Sequence, residues 1–425
     1  MVRSTPIFRF VFVASALLPF VAVTVIAEDG LAGPESSPTV SAKKSHADDA
    51  PATTTSKTAT TSQKSLPSTV AKTVAKTSEP AKLQPQPQLS PEMRTRRDNI
   101  RHVLVIYSQQ HQNTFQHSPW EIMHGIIAYG VETKLRVGGP GGEPTTAIGW
   151  LCYNRRGNGL NLFYTTPEGI GALNGPGLQG HSGQFLAMMA QSKVKVDYPL
   201  KINGRDYTLG DLIAYEKRTC MAHTELTFKL IGIVHYQGTD VEWTSQDGQP
   251  WSIQRLVKEE LAQPIHGATC GGTHRLMGLS YTLYKRAKEG KPVAEQFVRA
   301  KKFTEDYRRY AFSMQNDDGS FSTEWFRGPG ARHDIARRMQ TTGHILEWLV
   351  FSMPQEQLSE PKTVAAVDYL TAILYHGQNR QWEVGPLGHA VHALALYDRR
   401  MSQPATPSAP AIAKGKKPTS KRVVK

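Results

Sequence analysis

Residues 343–351 read Gly-His-Ile-Leu-Glu-Trp-Leu-Val-Phe, and this short run decides the fold. Ile345, Leu346, Trp348 and Leu349 fall at three- and four-residue steps, the period of a helix buried over a broad face. His344 stands at its start and Leu349 follows five residues later. The same sign recurs five times, in MHGIIAYG at His124, GHSGQFLAMMA at His181, AHTELTFKLIG at His223, THRLMGLSYTL at His274 and GHAVHALALY at His389. Tyr129, Leu186, Phe228, Leu279 and Leu394 occupy the position five residues on. The interval averages about 53 residues, enough for two helices and two loops. Each interval leaves room for one partner helix, clearest in Trp251–Ala262, Val293–Met314 and Lys362–Tyr375. Helical spacing also marks Leu212–Lys217 and Ile335–Phe351. The expected fold is all-α: six helical hairpins closing into an (α/α)6 toroid-like ring, the histidine helices inside. An open helical solenoid would carry the same repeat. Minor β structure is expected near the N-terminal edge, from Val103–Tyr107, Ala147–Tyr153 and Leu160–Tyr164.

The repeat fills only part of the 425 residues. Arg3 and Arg9 lead into the apolar run Phe10–Ala27, so residues 1–27 read as a signal peptide or membrane anchor. Residues 28–97 are rich in Ser, Thr, Pro and Lys and hold no Phe, Trp or Tyr, the composition of a disordered linker. Residues 401–425 form a basic tail carrying Lys414, Lys416, Lys417, Lys421, Arg422 and Lys425. The folded domain is therefore expected at 98–400. Of the net charge of +14, only +3 belongs to that stretch, which has 32 Lys or Arg against 29 acids. No specific nucleic-acid binding is expected; an anionic surface is the partner that suits the tail. Export to the periplasm or envelope would permit disulfides, yet Cys152, Cys220 and Cys270 allow at most one bridge.

Gln315-Asn316-Asp317-Asp318-Gly319-Ser320-Phe321 resembles the QW motif of squalene and hopene cyclases, with Phe321 in the place of the usual Trp. Asp247-Gly248-Gln249-Pro250-Trp251 is a weaker echo. The resemblance implies the α/α-toroid superfamily, which holds terpenoid cyclases, protein prenyltransferases and several polysaccharide lyases and hydrolases. The cyclases' DxDD pattern is absent. The prenyltransferases bind zinc through Asp, Cys and His; here His266, Cys270 and His274 lie at four-residue steps, with His344 to complete a site. Gly267, Gly271 and Gly272 argue against one continuous helix there, so no cofactor is expected and zinc is the alternative.

Sugars need polar contacts and an acid–base pair, which directs attention to the histidine helices. His344, Glu347, His389 and Glu225 are the candidate catalytic residues, with His392 one turn beyond His389. Arg338, Tyr153, Arg155, His124, His181 and His274 are the candidate substrate contacts. Glu324 or Asp334 could supply the second carboxylate of a glycosidase. The expected function is an exported envelope protein that binds or processes a polysaccharide, by lyase or hydrolase chemistry. One alternative is a non-catalytic scaffold that binds an envelope protein; another is a terpenoid cyclase or prenyltransferase-like activity. No P-loop, HExxH or GxSxG is present.

Overall fold

Ser90 caps a helix: its Oγ accepts from the Met93 N–H, and Pro91 begins the first turn. The computed structural model describes residues 90–402; the expected leader, most of the expected linker and most of the expected tail lie outside the described residues. The first helix, α1 (Pro91–Ser108), starts ahead of the expected boundary at 98. Arg96 on it meets Asp368 at 2.6 Å, so these residues belong to the fold. Val103–Tyr107, expected as a strand, lies within α1, because Ile100, Val103 and Tyr107 recur at helical spacing and bury one face.

Eleven further helices follow among the described residues: α2 (Pro119–Tyr129), α3 (Ala147–Cys152), α4 (Gln184–Gln191), α5 (Leu209–Arg218), α6 (Thr227–Gln237), α7 (Ile253–Ala262), α8 (Thr273–Lys288), α9 (Gln296–Ser313), α10 (Ile335–Ser352), α11 (Pro361–His376) and α12 (Val384–Met401). Ala147–Cys152 is thus helix rather than strand, while Leu160–Tyr164 reaches a strand only at Phe163. The β structure is minor. β1 (Gln112–Asn113), β2 (Lys134–Arg136) and β3 (Pro144–Thr146) form one small sheet. The rest is three antiparallel hairpins: β4 (Phe163–Thr166) with β5 (Gly169–Ala172), β6 (Pro199–Ile202) with β7 (Arg205–Thr208), and β8 (Glu242–Thr244) with β9 (Pro250–Ser252). No helix among the described residues is long and apolar enough to cross a membrane.

Alternate helices behave differently. Helices α2, α4, α6, α8, α10 and α12 each pack on the next, and α12 packs on α2. The odd-numbered helices pack against these: α3 on α2, α5 and α7 on α6, α9 on α8, α11 on α10, α1 on α12. Burial follows the same division. In α10 every residue from Thr341 to Val350 is buried, whereas the equally long α9 buries only Phe297, Ala300, Thr304 and Ala311. A helix covered on all sides needs apolar or small residues all round; one covered on one side needs only a stripe. The QW-like segment joins α9 to α10 as a turn, with the Asn316 N–H donating to Ser320 O and Gly319 N–H to Asn316 O. Phe321 is buried, and Gly319 (φ 90°) lies against the Ala365 carbonyl, where a Cβ would overlap it.

Glycine next to histidine has a packing reason. A Cβ on Gly343 would come within 2.9 Å of Ala390 Cα on α12. One on Gly388 would overlap the His124 carbonyl oxygen on α2. Each glycine lets two backbones approach, and the next residue's imidazole then meets its counterpart. Gly388→Ala is expected to lower stability by about 3 kcal/mol despite alanine's better helix propensity, because backbone must shift to admit the methyl. Urea unfolding checks this; a variant as stable as the parent would show that α12 is not packed tightly on α2.

Candidate functional site

The segment before α8 turns sharply. Cys270 (φ 49°) and Gly271 (φ 63°) both hold left-handed backbone, and Gly272 (φ 81°) caps α8. Only glycine fits at 271, because a Cβ there would overlap the Trp325 indole. Trp325 is itself at φ 58°, strained for an aromatic residue by roughly 1–3 kcal/mol, and such strain collects at functional sites. The turn brings Cys270 and, on the first turn of α8, His274 next to residues of α10.

Five of the six repeated histidines converge. The His344 and His389 rings are 4.0 Å apart, His274 lies 5.3 Å from His389 and 5.8 Å from His344, His181 is 5.1 Å from His274, and His124 is 5.8 Å from His389. His223 does not join them: its side chain is 93% exposed, and Phe228, in the first turn of α6, packs against His181 and His274 instead. Four of the five have Nδ1 tied into a hydrogen bond. The Nδ1–H of His124 donates to Trp120 O (2.7 Å) and that of His344 to Gln340 O (2.8 Å). That of His389 donates to Glu347 Oε2 (2.7 Å) and that of His181 to Glu225 Oε2 (2.6 Å). In the His124 and His344 rings, bonded to backbone carbonyls, this leaves Nε2 as the free acceptor. His274 is different. It is 9% exposed, and neither ring nitrogen has a hydrogen-bond partner.

Burial, aided by neighbouring imidazoles, pushes His124 down to about 3 and drives His274 and His344 well below the ordinary histidine range. These three rings are therefore neutral near pH 7. Glu347 sits among them as the counter-charge. Burial alone would raise its pKa, but His389 and His392, bonded to its two oxygens, outweigh that and hold it well below the usual carboxylate range. Burial pushes the Cys270 thiol up to about 12.

Two spaces flank this cluster. A cavity of about 30 Å³ is bordered by His274, His389, Glu347, Gln184, Gln191 and Phe228, room for one or two waters and no isoprenoid chain. A polar recess of about 210 Å³ meets the cluster at Cys270 and is lined by His266, Glu324, Trp325, Arg327, Arg337 and Gln340. The Arg337 guanidinium lies over the Trp325 ring at 5.1 Å and donates through Nε to Thr323 O (2.8 Å). The Trp325 ring in turn stands edge-on to His344. A larger groove of about 800 Å³ between α1 and α11 shares no residue with the cluster.

The structure thus brings together His344, Glu347, His389, Glu225, His124, His181 and His274 from the sequence reading. It does not bring Arg338, Tyr153 or Arg155 to them. Arg338 pairs with Asp318 at 2.9 Å and covers Tyr369, and it is the neighbouring Arg337 that lines the recess. Tyr153 and Arg155 line a separate open recess with Asn154, Asn161, Lys201 and Asn203. Asp334 caps α10 by accepting from the Ala336 and Arg337 N–H groups, and Glu324 is held by Arg332 at 2.6 Å. Of the four residues weighed for zinc, Cys270, His274 and His344 have ligand atoms within 4.8 Å of one another; His266 is exposed and outside that set. His181, Glu225 and His274 form a second such set. Trp325 escaped sequence reading, since a lone Trp in a loop carries no periodic signal. Comparisons with protein-family profiles, curated proteins and solved structures find no match.

Proposed function

We propose that residues 91–401 form an (α/α)6 toroid, closed by the contact of α12 with α2, whose histidine-lined mouth processes an anionic polysaccharide. The observation that carries this is the cluster itself: five converging imidazoles, four with Nδ1 tied off, next to a recess bearing Arg327 and Arg337. Burying neutral histidines without full hydrogen bonding costs stability, which a purely structural core has no reason to bear. The arginines suit a sugar carboxylate, and Trp325 beside them suits a sugar face.

Elimination fits the groups better than hydrolysis. A glycosidase needs a protonated carboxylic acid beside a second carboxylate. Here Glu347 is held ionised by His389 and His392, Glu225 is bonded to His181, and Glu324 to Arg332. In an elimination, arginine neutralises the uronate carboxylate and a base removes the proton on the adjacent carbon. The C–O bond to the leaving sugar breaks as the carbon–carbon double bond forms, and the leaving oxygen takes up a proton. His389, oriented by Glu347, is the base this reading assigns. The outer recess takes the polymer's bulk, and the reading requires the reacting uronate to reach from it past Trp325 and His344 to His389. The leader-like run Phe10–Ala27 supports action in the periplasm or envelope, and the basic tail supports contact with an anionic surface there.

Purified full-length protein incubated with uronate-containing and neutral polysaccharides tests the reading. The expected result is ultraviolet absorbance from an unsaturated uronate, lowered about a hundredfold or more by His389→Gln. Turnover unchanged by His389→Gln would remove the assignment. Binding of the polymer without turnover would return the scaffold reading. Arg337→Gln is expected to raise KM for the anionic polymer about tenfold, the loss of one charge-assisted contact, with a smaller change in kcat. An equal effect on a neutral polymer would show that Arg337 does not read charge.

A further inference from the structure

We infer that Cys270, His274 and His344 form a binding site for one divalent transition-metal ion of the zinc class. The inference deepens the polymer-processing reading and rests on it only in treating the histidine cluster as a functional centre.

Three independent observations meet here. The first is proximity: the ligand atoms of Cys270, His274 and His344 all lie within 4.8 Å of one another, so modest side-chain adjustment brings them to the 2.0–2.3 Å bonds of a tetrahedral ion. The second is the empty valence of His274. Its two nitrogens are buried without any partner, and a ligated ion would take up the lone pair of one of them. The third is the support behind His344. Its Nδ1–H donates to the Gln340 carbonyl, which fixes the ring and leaves Nε2 for a ligand, the outer-shell contact characteristic of metal-bound histidine.

The donor set selects the ion. One sulfur and two imidazoles favour zinc, cobalt or copper over magnesium or calcium, whose ligands are oxygens. Imidazole ligates through a neutral nitrogen and cysteine as its thiolate, so the Cys270 thiol would release its proton on binding. Three protein ligands leave a fourth position. Cys270 lines the recess that holds Arg337 and Glu324, so that position is reached from the side where substrate would enter. His389 with Glu347 stands 4.0 Å from the His344 ring, available as a proton acceptor beside the ion. The second set, His181, Glu225 and His274, shares His274 and lacks the sulfur; an ion there would compete for the same ring.

Full-length protein stripped with a chelator and titrated with cobalt(II) tests the site. The expected result is one equivalent bound, with a tetrahedral visible spectrum and a near-ultraviolet sulfur-to-cobalt band. Cys270→Ser is expected to abolish that band, and His344→Gln to weaken binding about a hundredfold. Circular dichroism of the metal-free variants separates loss of ligand from loss of fold. Zinc is expected to raise the melting temperature of the parent and not of Cys270→Ser. Absence of cobalt binding, or a band that survives Cys270→Ser, overturns the inference. So does loss of binding in Glu225→Gln with retention in Cys270→Ser, which places the ion in the other set. The two readings fail separately. A cobalt band in a protein inactive on every polymer keeps the metal and removes the polymer; turnover in protein that never binds metal does the reverse.

Discussion

Glu347→Ala is expected to destabilise the protein by roughly 3–5 kcal/mol and to abolish turnover of the polymer, the largest single-residue effect at the site. Glu347 is 5% exposed and its two oxygens accept from His389 and His392 on the neighbouring helix α12. Removing the carboxylate deletes the negative charge bonded to both rings and leaves one buried N–H donor, on His389, and one half-buried, on His392, facing a void. The cost is that of breaking a buried charged contact, not the smaller cost of a surface pair. Glu347→Gln keeps the volume and one acceptor oxygen, so about half the stability loss is expected, with His389 left to lose its orientation. The catalytic effect should therefore persist in Gln while the stability effect shrinks. Glu305→Gln, on the exposed face of α9, is the control and should change stability by less than about 0.5 kcal/mol. Urea unfolding measured with turnover decides it. If Glu347→Ala unfolds with the parent's midpoint, the carboxylate does not hold α10 to α12.

The repeat was legible because it has a packing cause. Helices enclosed by neighbours need small residues where backbones cross, and Gly343 and Gly388 meet that need one residue before His344 and His389. The pattern of six histidines five residues ahead of a bulky apolar residue therefore tracked six real helices or helix starts. One of the six, His223, stays outside the cluster, because its positive φ (63°) turns its side chain into solvent, and nothing in the sequence marks that backbone. The two strand expectations failed for a related reason. Val103–Tyr107 and Ala147–Tyr153 are short and apolar, and short apolar runs do not separate helix from strand until the helix that encloses them is visible. Glu347 and His389 were legible as a pair of polar residues on enclosed helices. Trp325 and Arg337 were not legible as partners: they lie twelve residues apart, and the left-handed turns at Trp325 and Gly271 bring the indole to Cys270. Cys270 and His344 are 74 residues apart in sequence, so only the packing of α8 on α10 makes them neighbours.

Acid should unfold this protein earlier than its carboxylates alone would require, and the buried histidines set the direction. Burial pushes His124 down to about 3 in the folded chain, and His235, half-buried and bonded to the Tyr281 hydroxyl, down to about 4. Burial is the main cause in both; His389 adds to it for His124, and Lys285 for His235. In the unfolded chain each titrates near 6.5. Between those values the unfolded state binds the proton and the folded state does not, so stability falls as pH falls. It is fully present above about pH 6.5, and each histidine forfeits roughly 2 kcal/mol by pH 5. Glu347 behaves as a depressed carboxylate: its contribution is intact above its unfolded value near 4.3 and is lost only below it, so it leaves the slope between pH 7 and 5 untouched. The expected result is a loss of about 4 kcal/mol between pH 7 and pH 5 in urea unfolding of the chelated protein, from these two residues. His274 and His344 act in the same direction. His235→Gln should remove about half of the two-residue term and flatten the slope accordingly, since glutamine carries no titrating group. A stability that stays level from pH 7 to pH 5 would mean that these rings accept protons in the folded state, and that the interior around them is open to water.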